Sequence, residues 1–62
     1  MKIQLDIYAE AIESRAYEII KNSTKLQTYG HAKIANDLLQ QAQILLSAMK
    51  ELREISSNLP EN

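Results

Sequence analysis

The sequence predicts an all-α protein, a two-helix antiparallel hairpin, on three observations. Leu38, Leu45, Leu52 and Leu59 recur every seven residues, and Ala35, Ala42, Met49 and Ser56 stand three residues before each. The first half repeats the pattern, with Leu5, Ile12, Ile19 and Leu26 in the large positions and Ala9, Ala16 and Ser23 in the small ones. Finally, the chain of 62 residues holds one glycine, Gly30, near its middle and one proline, Pro60, near its end. Written as heptads abcdefg, the small residues are at a and the leucines and isoleucines at d. Two helices with matched seams draw together. A hairpin of this kind completes its core by assembling into a four-helix bundle with a second copy or by docking on a helical protein partner.

The first helix is expected over about residues 3–28. No clear capping box marks its start, so Met1 and Lys2 are expected to fray and the helix to begin between Ile3 and Asp6. Asp6 and Glu10 near this end, and Lys21 and Lys25 near the other, carry the signs that the helix dipole favours. The reversal is expected at residues 29–31, because Gly30 takes the left-handed conformation without a steric penalty and so suits a helix C-terminus. A second place for it is Asn22-Ser23-Thr24, where Thr24 with Gln27 would cap a new helix.

With the turn at Gly30, Leu26 is expected to face Ala35, Ser23 to face Leu38, Ile19 to face Ala42 and Ala16 to face Leu45. Nearly every layer would then oppose a large side chain to a small one. The second helix is expected over about residues 32–57, ended by Asn58-Leu59-Pro60, with Glu61 and Asn62 as a disordered tail. The whole, residues 1–62, reads as a single domain.

Composition narrows the function. A chain this short buries only about 60% of its unfolded surface, and with no cysteine it has neither a disulfide framework nor a thiolate metal site. Self-association or a partner is then the expected source of further stability. The net charge of -1, with acids and bases interspersed, offers no broad cationic field for nucleic acid or lipid. No apolar run reaches the roughly 18 residues of a membrane span, and Met1 to Leu5 is followed by Asp6 and Glu10 rather than by a signal-peptide core. A soluble, cytoplasmic protein with no cofactor is expected.

Apolar residues outside a and d point to a contact surface. Ile34, Leu39, Leu46 and Ile55 on the second helix, with Tyr8 and Ile20 on the first, make a stripe wider than one hairpin covers, and they are the expected partner-binding residues. At roughly 1.5–3 kcal/mol for each fully buried large apolar side chain, leaving them wet would forfeit much of a small fold's stability. The tyrosines Tyr8, Tyr17 and Tyr29 are expected to pack their rings on the helices with their hydroxyls in water.

Chemistry finds less support. Asp6, Glu10 and Glu13 form an acidic row, but no glutamate precedes a histidine by three residues as helical carboxylate metal sites require. The row reads as a solvated face. His31, the only histidine, follows Gly30 and reads as an exposed cap residue rather than a base. The chain is too small to enclose a pocket after building its seam, so an enzyme is not expected. A rival reading gathers Arg15, Lys21, Lys25 and Lys33 into an RNA-contacting patch, although Glu18 interrupts it and four cations are a small footprint.

Two resemblances extend this reading. The equal arms, the central turn and the Ala-at-a, Leu-at-d layering resemble the Rop family of plasmid copy-number RNA-binding proteins, which implies a homodimeric four-helix bundle gripping RNA. Glu13 and Glu18 depart from the face such a function needs. The stretch Asp37-Leu38-Leu39-Gln40-Gln41-Ala42-Gln43, followed by Leu45, Met49 and Leu52, is similar to the second helix of the small co-chaperones of type III secretion needle subunits. That likeness implies a hairpin docked on a tetratricopeptide-repeat chaperone, helping to hold a needle subunit unpolymerised. Both imply a small non-enzymatic regulator or co-chaperone.

Overall fold

The computed structural model describes residues 1–60 as two helices, α1 (Lys2–Thr28) and α2 (Ala32–Ser57), packed side by side and antiparallel. The expected tail, Glu61 and Asn62, lies outside the described residues. α1 begins one residue earlier than the sequence suggests. Leu5 N–H donates to the Met1 carbonyl at 3.0 Å, and Lys2 is drawn in because its own carbonyl lies 3.5 Å from the Ser56 hydroxyl.

The chain reverses at Gly30. Its φ of 88° lies in the left-handed region. There the Gly30 N–H reaches the Gln27 carbonyl at 3.0 Å while the His31 N–H reaches the Leu26 carbonyl at 2.9 Å. These two bonds form a Schellman cap, which satisfies carbonyls that the helix end would otherwise leave open. Space is not the constraint, since a Cβ at Gly30 would meet nothing within 4 Å. Gly30→Ala is therefore expected to destabilise the hairpin by about 1 kcal/mol through backbone strain alone, read as a lower denaturation midpoint with an unchanged slope.

The alternative reversal at Asn22-Ser23-Thr24 does not occur, because α1 runs through it. The Thr24 hydroxyl donates back to the Ile20 carbonyl at 3.1 Å, and Thr28 repeats this onto Thr24 at 3.0 Å, so Thr24 has no role as a cap. α2 ends where the sequence places it, with the Asn58 and Leu59 N–H groups closing onto the Ile55 and Ser56 carbonyls before Pro60.

The seam is centred on the a rows. Every described a residue inside a helix except Lys2 is buried: Ala9, Ala16, Ser23, Ala35, Ala42, Met49 and Ser56. All eight d residues are only half-buried. Ser23 Oγ donates to the Ala35 carbonyl at 2.7 Å, and Ser56 Oγ lies 3.5 Å from the Lys2 carbonyl, so a meets a at both ends. The reason is steric: two helices that both offer alanine and serine approach most closely along those rows, and the bulkier d side chains are displaced to one side.

Candidate protein-interaction face

Helical geometry fixes where the displaced side chains go. At 100° per residue, d lies about 60° to one side of a and e about 40° to the other. In an antiparallel pair, rows with the same letter share a side. One side of the hairpin therefore carries both d rows, Leu5, Ile12, Ile19 and Leu26 from α1 with Leu38, Leu45, Leu52 and Leu59 from α2. The opposite side carries both e rows. A contact across the helices marks it: Arg53 donates through both terminal nitrogens to the two oxygens of Glu13, at 3.1 and 3.3 Å.

The e side is mixed. Beside the Arg53–Glu13 pair, Asp6 accepts a hydrogen bond from Ser56 Oγ at 2.6 Å, and the half-buried Ile20, Leu39 and Leu46 lie on this same side. The Arg53 guanidinium is pushed above its ordinary pKa, first by its hydrogen bonds to Glu13 and then by the negative charge of Glu13, Asp6 and Glu10. Arg53 is exposed and Glu13 half-buried, so solvent still screens the pair and it orients the helices more than it holds them together. It also accounts for the acidic row, since Glu13 and Asp6 are already committed to Arg53 and Ser56. Among the described residues no cluster of histidine and carboxylate side chains is placed to hold a metal ion.

The six expected partner-binding residues divide between the two sides. Tyr8, Ile34 and Ile55, at g, flank the d rows and are 57%, 54% and 53% exposed. Ile20, Leu39 and Leu46, at e, lie on the other side and are half-buried. The continuous apolar surface is instead the d side, made equally by both helices.

Of the sixteen d and g positions from Leu5 to Leu59, Arg15 alone is charged, although the chain carries seven basic and eight acidic residues. Depletion of charge at the centre of a surface, with Leu, Ile and Tyr in its place, is the composition of an interface core. Sequence reasoning assigned the d rows to the hairpin's own seam and did not count them as surface, whereas all eight are only half-buried. The signal was present in the run of alanine and serine at a, on both helices.

No family model, curated protein or solved structure matches this chain. The face is therefore interpreted from its own chemistry.

The four cations of the rival patch do not converge. Lys21 and Lys25, at f and c, project from the outer side of α1, and Lys33, at f, from the outer side of α2. Arg15 borders the d rows. Two of them already face carboxylates, Arg15 with Glu18 at 3.7 Å and Lys33 with Asp37 at 3.4 Å. His31 is the exposed N-cap residue of α2, and its side chain makes no capping hydrogen bond. Tyr17 and Tyr29 are exposed as well, at 58% and 77%. No helix among the described residues is long and apolar enough to cross a membrane.

Proposed function

We propose that this hairpin is a non-enzymatic protein-interaction module, a small regulator or co-chaperone that works by being covered along its d side. The observation that carries this reading is the set of eight aliphatic side chains, Leu5 to Leu26 and Leu38 to Leu59, half-buried in two parallel rows on one side. A helical hairpin is a single layer, 49 × 13 × 10 Å along its principal axes. Folded domains bury their apolar stripes between at least two layers. The missing layer is helical in this proposal, because rows spaced by heptads mesh with knobs on another helix. A second hairpin and the concave surface of a tetratricopeptide-repeat chaperone both meet that description.

The test is the salt dependence of the complex. The tagged chain, purified from its native host, is expected in a complex of fixed stoichiometry that survives about 1 M salt, since burial of apolar surface is not screened. A folded chain that stays alone at every concentration and recovers nothing overturns the reading. So does an assembly with structured RNA whose affinity falls steeply as salt rises, which is the mark of phosphate contacts.

A further inference from the structure

We infer that the layer covering the d side is a second copy of the same chain, giving a two-fold symmetric four-helix bundle. This rests on the interaction-module reading above and specifies its partner.

The first observation is area. The chain exposes 4797 Å², whereas a folded monomer of 7.1 kDa is expected to expose about 4,100 Å². The excess, roughly 700 Å², is close to the roughly 800 Å² that each partner of a standard interface removes from water. It comes from the one-layer shape, and stacking a second layer removes it.

The second observation is the pattern along the edges of the face. Along the hairpin, the g residues are Tyr8 and Ile55 toward the open end, Arg15, Asn22, Gln41 and Ala48 between, and Tyr29 and Ile34 at the turn. Both ends are flanked by tyrosine and isoleucine, and the polar flanks, Arg15, Asn22 and Gln41, gather in the middle. A two-fold axis keeps middle against middle. A copy brought up by such an axis lays its polar flanks on polar flanks and its apolar ends on apolar ends. An interface between identical patches must be self-complementary in this way.

The third observation is charge. A symmetric mate places every charge of the face opposite its own kind, which penalises a face rich in one sign. Here only Arg15 is at stake, and Glu18, at 3.7 Å, already lies beside it. The d rows are also uniform in volume, leucine or isoleucine at every position, so a copy meets knobs of its own size and spacing throughout.

Sedimentation equilibrium on the wild-type chain, from about 1 to about 100 µM, is the primary experiment, with thermal melts at the same concentrations. The expected result is a mass approaching twice 7.1 kDa and a melting temperature that climbs with concentration. Leu45→Glu, on the d side, is expected to abolish the doubling, while Ser47→Glu, on the outer side of α2, leaves it intact. Because Leu45→Glu can unfold as it dissociates, a second measurement uses no variant. In a mixture of isotope-labelled and unlabelled wild-type chains, methyl contacts between molecules are expected among Ile12, Ile19, Leu38, Leu45 and Leu52.

A mass of 7.1 kDa at every concentration with an invariant melting temperature overturns the proposal. Intermolecular contacts that run instead through Ile20 and Leu39 overturn it too, because they place the copy on the e side. A chain that remains single yet forms a salt-resistant complex with a different helical protein removes the second copy and leaves the interaction module standing.

Discussion

Ala42→Leu is expected to cost about 3 kcal/mol, a fall in melting temperature of more than about 10 °C for a chain of this size. Ala42 has no exposed surface, and Ala16, on the facing a row of α1, has none either. Alanine has no rotamer to change, so the added methylenes must part the helices. The strain would reach Ser23 and Ala35 one heptad away, whose 2.7 Å hydrogen bond requires the present separation. A chemical-denaturation midpoint equal to or above wild type would show that the helices are not in close contact at this layer. The reciprocal change, Ala16→Leu, is expected to do the same. The double substitution should be worse than either alone, because both enlarge the same alanine-lined seam.

Leu45→Ala is expected to cost about 3 kcal/mol per chain, more than its surroundings in one hairpin account for. Leu45 is half-buried in the isolated chain, and removing a half-covered leucine should cost about 1 kcal/mol. The difference is the part of the side chain that a second layer covers. Measured at high and low concentration, the penalty should shrink as dissociation takes hold. A value near 1 kcal/mol at all concentrations would mean that nothing rests on the d side, whatever the oligomeric state. The measurement therefore probes the face, where mass probes only the stoichiometry.

Most of the backbone was legible in the residues. The heptads gave both helices to within a residue at each end, and Gly30 gave the turn because no other position combines a left-handed residue with arms of equal length. Lys2 was misjudged because the contact that draws it in comes from Ser56, more than fifty positions away, which no local signal carries. Thr24 resembled a cap because hydroxyls do cap helices, but within a continuous helix its hydroxyl turned to the Ile20 carbonyl instead.

The face was harder to read. Heptad patterning says which residues point inward without saying whether a or d lies on the line between the two axes. In this chain the choice follows from size, since the rows rich in alanine permit the closest approach, and that moves Leu45 and its fellows out of the seam. Leu39 and Leu46 stood out in the sequence as surplus. They are half-covered, on the same side as Ile20. Charge told more than hydropathy: the near absence of lysine and glutamate from d and g separates the two sides, whereas apolar residues occur on both.

The two serines at opposite ends of the seam have a mechanical consequence. A strip of alanines is smooth, and smooth strips glide. Ser23, latched to Ala35 near the bend, and Ser56, latched to Asp6 near the open end, pin the arms at two points far apart. Sliding by a single heptad would unfasten both at once, so the pair holds its alignment as a stiff rod with teeth at fixed intervals, and whatever meshes with those teeth meets the same spacing from end to end.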